Sequence, residues 1–171
     1  MKTSTSESPS SGLQILSRRE RIARFLERTL DTRLGRLGVG LYRLTGGRIV
    51  RLYGKDVLIL TTRGRKSGQE RTVLLQFFRD GALLVVVAAN FGCATHPGWY
   101  HNLKANPTAR IEVMDRTLPV RAEELSAEEA AAFWPRVLQR APDYVRFLKR
   151  TNRAIPLMRL VPLTPNEGAA P

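Results

Sequence analysis

Cysteine is almost absent from this chain: Cys93 is the single one, so no internal disulfide can close and no thiolate cluster can form. Acidic residues are scarce as well, 15 Asp and Glu against 28 Lys and Arg, and the resulting net charge of +13 disfavours cationic partners. Histidine is limited to His96 and His101, a thin basis for a metal site, and no acidic cluster accompanies them. Long apolar runs are also missing. Val57 to Leu60 and Ala82 to Ala89 fall far short of the ~20 residues that a membrane-spanning helix needs. Met1 to Gly12 lacks the apolar stretch of a secretory signal, which sets the expectation of a cytoplasmic protein. No internal repeat is present.

What is there suffices for one domain. In 171 residues, 43% hydrophobic and 25% charged, one core of ordinary size can form, and the composition is not that of a disordered or fibrous chain. The positive charge points to anionic company: nucleic acid, acidic lipid, or a ligand rich in phosphate or carboxylate. Nucleic acid fits poorly, because the aromatics do not alternate with basic residues as a stacking surface requires, and no helix-turn-helix or zinc-finger pattern occurs.

Residues 1–11, rich in Ser and Thr, read as a disordered tail, and 164–171 as a flexible one. Between them, 12–47 reads as a helical segment and 48–163 as the folded domain. Leu13, Leu16, Ile22, Phe25, Leu26 and Leu30 recur at helical spacing among five arginines, so 13–30 is expected to be a basic amphipathic helix. Its two readings are a seat on an anionic membrane surface, which would place the protein at the inner face of the cell membrane, and packing on the folded domain. A weaker helix is expected from Thr32 to Leu44. Short β-branched or apolar runs follow at Asp56 to Thr62, Thr72 to Arg79, Ala82 to Ala89, Ala109 to Met114 and Leu118 to Glu123, with Asp80-Gly81 as a hairpin turn. Short helices are expected at Pro97 to Asn106, after the capping box opened by Ser126, and from Pro142 to Arg150, before a last strand at Pro156 to Pro162. This order predicts an α+β fold with a mostly antiparallel sheet or barrel, N-terminal helices and peripheral helices.

Two segments carry chemistry. Gly64-Arg65-Lys66-Ser67-Gly68 with Arg71 is a glycine-flanked basic loop between strands, suited to phosphate or carboxylate oxygens through Arg forks, a Lys charge and a hydroxyl. The same charges would equally suit a solvated turn that blunts a sheet edge. Neither the GxxxxGK[ST] nor the GxGxxG spacing is present. Asn90-Phe91-Gly92 and His96-Pro97-Gly98-Trp99-Tyr100 form a loop at a strand end that opens onto a helix, where a ligand can approach backbone N–H groups. Trp99, Tyr100 and Leu103 there can line a pocket or simply pack the helix on the sheet.

Together, Leu58-Ile59-Leu60-Thr61-Thr62, the basic loop with Arg71, Asn90-Phe91-Gly92, and His96-Pro97 followed by Trp99 to Pro107 resemble the deazaflavin-dependent nitroreductase family, which includes quinone reductases. The resemblance runs from about Tyr42 to Pro162. It implies a split β-barrel like that of FMN-binding oxidoreductases, and coenzyme F420, a deazaflavin with a phosphodiester and glutamate tail, as cofactor; FMN is the alternative. Carried over by position, Arg65, Lys66, Ser67 and Arg71 would hold the tail. Ala89, Asn90, Phe91, Gly92, Pro97 and Trp99 would line the deazaflavin pocket.

On the late helix, where nitro-drug reductases of the family tend to carry three tyrosines, this chain has Ala141, Tyr144 and Phe147. Gln76 stands where some relatives have an aromatic residue. These four would form the substrate pocket, more apolar than that of the nitroreductases, with Tyr144 as the catalytic proton donor. The implied reaction is hydride transfer from reduced deazaflavin to an apolar acceptor, a quinone before a nitroaromatic. A non-enzymatic carrier of a flavin-like ligand is the alternative. No metal is implied, and split barrels often form homodimers.

Overall fold

The computed structural model describes residues 34–45, 56–114 and 116–164. The expected tails and the basic helix at 13–30 lie outside the described residues. Six strands, β1 (Val57–Arg63), β2 (Glu70–Asp80), β3 (Leu83–Val87), β4 (Thr108–Val113), β5 (Arg116–Glu124) and β6 (Leu157–Pro162), form a closed barrel in the order β1-β2-β3-β6-β5-β4. All neighbouring pairs are antiparallel. Among the described residues four helices accompany them: α1 (Leu34–Thr45), α2 (Gly98–Ala105), α3 (Ala127–Arg140) and α4 (Tyr144–Arg150).

The strand pleat sorts the apolar residues between two sides of the barrel wall. Leu58, Leu60, Phe77, Leu84, Val86, Ala109, Ile111, Val120, Ala122, Met158 and Leu160 share the interior cluster. Their pleat neighbours face outward and are covered by helices: Ile59 by Val39 and Tyr42 of α1, and Phe78, Val85, Val87 and Leu157 by Phe133 and Val137 of α3. Burial on both faces explains why β1 and β3 read as continuous apolar runs rather than alternating ones. Trp99, Tyr100 and Leu103 of α2 belong to the interior cluster, so this helix packs against the barrel core.

The helix termini follow their sequence signals. Ser126 accepts from the Glu129 N–H while the Glu129 carboxylate accepts from the Ser126 N–H, the reciprocal cap expected for α3. Helix α1 is held to the barrel by Tyr42, whose hydroxyl donates to the Val57 carbonyl at 3.0 Å and accepts from the Met114 N–H at 3.2 Å. Arg43 adds a fork onto Glu112 at 2.7 and 2.5 Å.

Element bounds differ from the sequence reading by one or two residues, and one of these differences bears on the site. The third strand stops at Val87, and Ala88 and Ala89 lead into a 3-10 turn at Asn90–Gly92. The Ala88 N–H still donates to the Pro156 carbonyl in register, but Pro156 has no N–H to return, and the Ala88 carbonyl accepts from Arg153 instead, so the ladder ends here.

Candidate active site

The loop between β1 and β2 is a tight turn. The Gly64 N–H donates to Gln69 O at 2.8 Å, and the Gly68 N–H to Gly64 O at 2.7 Å. At Gly64 a Cβ would stand 2.9 Å from Ser67 Oγ and 3.0 Å from Gln69 O, so a side chain there would force the loop open. Asn102 of α2, buried, ties the loop to the helix below it. Its Oδ1 accepts from the Arg65 N–H and its Nδ2 donates to Thr62 Oγ1, both at 3.1 Å. Arg65, Lys66, Ser67 and Arg71 are left exposed, and among the described residues none of the three cations pairs with a carboxylate.

Across from this loop, Asn90, Phe91 and Gly92 occupy the left-handed region in succession, with φ of 48°, 52° and 75°. Two non-glycine residues so placed cost roughly 1–2 kcal/mol each, and surrounding contacts must hold them. Arg153 supplies those contacts. Its Nε donates to Cys93 O at 3.0 Å and its Nη2 to Ala88 O and Ala89 O at 3.2 and 2.9 Å, while Nη1 reaches Ala154 O at 3.1 Å and His96 Nδ1 at 3.0 Å. Burial lowers the Arg153 pKa from its ordinary value, which still leaves a guanidinium charged. Asn90 Nδ2 adds a bond to Thr95 O at 2.9 Å.

Gly92 is required where it is. Its φ is positive, and a Cβ would stand 2.8 Å from the Phe147 carbonyl, because α4 lies backbone to backbone on the turn. Phe91 meets Phe147 edge-on at 6.0 Å, and Tyr144 meets Phe147 at 5.3 Å and Phe78 at 5.9 Å. Burial among these rings pushes the Tyr144 phenol up to about 12, so it stays protonated across the physiological range.

Loop, turn and helices enclose a cavity of about 1060 Å³. The basic loop and the start of β2 contribute Arg65, Lys66, Ser67 and Arg71 to its lining, the turn and the start of α2 contribute Ala89, Asn90, Phe91, Pro97 and Trp99, and β2 and α4 contribute Gln76, Tyr144 and Phe147. Two residues expected at the site stand elsewhere. Gly92 packs under α4, and Ala141, the C-cap of α3, is 4% exposed in the outer core cluster, because the chain turns at Pro142 and only the next helical turns reach the cavity. Trp99 does both things open to it: it packs in the barrel core and lines the cavity.

Sequence reasoning missed Gly38 and Val39 of α1, which also line the cavity, and the roles of His96, Asn102 and Arg153. The first two carry no local signal. Asn102 and Arg153 lie inside the motifs that carry the family resemblance. His96 and His101 do come together, with ring centroids 5.9 Å apart, but the Nδ1 of His96 is engaged by Arg153.

An antiparallel barrel whose cavity joins a cationic loop to an aromatic slot has the architecture of the split-barrel flavin- and deazaflavin-binding proteins. The comparisons agree. The F420H(2)-dependent quinone reductase family matches residues 34–162, and the chain belongs to that family. An F420H(2)-dependent quinone reductase of Mycobacterium tuberculosis is 40% identical over 144 residues, 81% of this chain and 97% of that protein. The solved structure of an F420-H2 dependent reductase is 35% identical, with a TM-score of 0.57, over 61% of this chain and 93% of that one. A structure described as a domain-swapped dimer matches equally, at 35% identity and a TM-score of 0.57, over 61% of this chain and 79% of that one. The protein is thus an oxidoreductase whose cofactor is coenzyme F420. The residues present suit it: the cavity combines cations that pair with no carboxylate among the described residues, which fits an anionic tail, with an apolar aromatic lining, which fits a planar ring.

Proposed function

We propose that this chain transfers a hydride from reduced coenzyme F420 to an apolar quinone. The observation that carries the reading is the single cavity running from the cationic loop to the Gln76, Tyr144 and Phe147 wall. When bound, the reduced deazaflavin supplies the hydride. Arg65, Lys66, Ser67 and Arg71 hold the phosphodiester and the start of the glutamate tail by charge-assisted hydrogen bonds. Ala89, Asn90, Phe91, Pro97 and Trp99 hold the ring and shield it from water. Tyr144, kept neutral by burial, offers its hydroxyl proton to an oxygen of the acceptor. The apolar far wall, with Phe147 in place of a tyrosine, favours a quinone; nitroaromatics are the second acceptor class, and they would find fewer hydrogen-bond partners.

The test is a fluorescence titration with F420, with FMN in parallel, followed by menadione added to the reduced complex. Micromolar F420 binding and quinone-dependent reoxidation are expected. Binding without reoxidation would favour the carrier reading, and preference for FMN would refute the cofactor assignment.

The basic pattern at 13–30 supports a peripheral seat on anionic membrane, beside which a bilayer quinone would be at hand. Among the described residues no helix is long and apolar enough to cross a membrane. Equal pelleting with anionic liposomes of the whole chain and of one starting at Asp31 would refute that seat. A homodimer is the proposed assembly, since a similar structure is a domain-swapped dimer; light scattering reads it directly.

A further inference from the structure

His96 stands on the cavity wall between the left-handed turn and α2, and the roles assigned above leave it unused. Its Nδ1 lies 3.0 Å from Arg153 Nη1. A guanidinium has donors only and stays charged, so in this contact Nδ1 must accept. The single proton of the neutral ring then sits on Nε2, since an imidazolium would set two donors face to face. Arg153 cannot swing away at little cost, because its other N–H groups are committed to four carbonyls of the same loops.

The ring is also held on its sides. Tyr100 lies tilted against it with centroids 4.6 Å apart, and His101 meets it edge-on at 5.9 Å. Nε2 has no hydrogen-bond partner among the described residues. Because no buried side-chain nitrogen or oxygen there lacks a partner, this atom is open rather than sealed in the core. The charges nearby keep the ring neutral: burial first, then the Arg153 guanidinium and His101, lower its pKa, against a weaker opposite pull from Glu124. That carboxylate is already occupied by the Tyr100 hydroxyl at 3.1 Å and Lys104 Nζ at 2.8 Å.

We propose that Arg153 is a positioning residue that fixes His96 in its Nε2–H tautomer, and that this N–H donates a hydrogen bond to a carbonyl oxygen of the bound deazaflavin ring. The inference rests on the cofactor assignment. It places His96 with the ring rather than the tail, because His96 shares its loop with Asn90, Phe91 and Pro97, the cavity-lining residues proposed to hold the ring. A donor held in one tautomer and one orientation needs no reorganisation when the ring enters, and a neutral one adds no further cation beside the clamp.

Two measurements on the full-length protein test this. In two-bond ¹H–¹⁵N spectra at neutral pH, His96 should show the Nε2–H tautomer, and R153A should lose that preference. In titrations with the deazaflavin riboside that lacks phosphodiester and glutamates, H96A should bind about tenfold more weakly. H96Q, whose amide nitrogen reaches the place of Nε2, should stay within about threefold of the parent. An Nδ1–H tautomer or a cationic ring at neutral pH would overturn the proposal, as would unchanged riboside affinity in H96A or equal losses in H96A and H96Q. Failure of the parent protein to bind intact F420 would refute the cofactor assignment instead, and with it the partner given to His96; the tautomer spectra would still decide whether Arg153 positions the ring.

Discussion

Replacing both Lys66 and Arg71 by alanine should weaken F420 binding about thirtyfold at low salt while leaving the barrel intact. Both side chains line the cationic end of the cavity and are solvent-exposed. Two unit charges about 4 Å apart attract by about 1 kcal/mol in water and about 4 kcal/mol at an effective dielectric of 20. Exposure puts these cations near the first figure, with side-chain ordering and screening offsetting any gain above it at low salt. About 1 kcal/mol for each of two contacts gives about 2 kcal/mol, or about thirtyfold in Kd. The assay is the fluorescence titration repeated from about 0.02 to 1 M salt, over which the Debye length falls to about 3 Å. The gap between parent and variant should close to a few fold at the high end. The riboside without phosphate and glutamates should bind both proteins alike, the reverse of the pattern expected at His96. A parent affinity independent of salt, or an equal loss for the riboside, would refute the clamp.

Tyr144→Phe should lower quinone turnover about a hundredfold with F420 affinity unchanged, at the low end of general-acid contributions; equal turnover would remove the proton-donor role. Because burial pushes the Tyr144 phenol up to about 12, the unfolded chain ionises this tyrosine first as pH rises past 10. Its contribution to stability is therefore full below pH 10 and lost on the way to about 12, so melts should show a fall in that window that Y144F reduces. Gly92→Ala, at φ +75° with a Cβ 2.8 Å from the Phe147 carbonyl, should cost stability and also loosen α4, read as a lower Tm together with a raised quinone KM. Leu58→Ala, at 0% exposure in the barrel interior, should cost about 2–5 kcal/mol in urea unfolding with F420 affinity of the folded protein unchanged.

Much of the site was legible because both motifs are continuous in sequence. The loop from Gly64 to Arg71 presents its cations whatever the rest of the chain does, since a glycine-flanked turn between two strands leaves its side chains and several N–H groups to solvent. Ser126 and Glu129 make the cap that their spacing announces. The strands were readable from apolar runs, though Ala88 and Ala89 look like more of the same run. The strand ends because Pro156, opposite Ala88, has no N–H to donate, and Arg153 takes the Ala88 and Ala89 carbonyls instead.

Taken alone, the sequence determined the class of fold, the anionic character of one ligand and the identity of the residues on the two loops, because each follows from local pattern or from charge. Tertiary structure decided which of them meet. Ala141 and Tyr144 are one helical step apart on paper, yet the turn at Pro142 sends one into the core and the other to the cavity. Arg153 lies 57 residues from His96, and no spacing rule connects them. Barrel closure brings their segments together, and an arginine's fixed fork of donors then dictates which nitrogen of the histidine carries the proton.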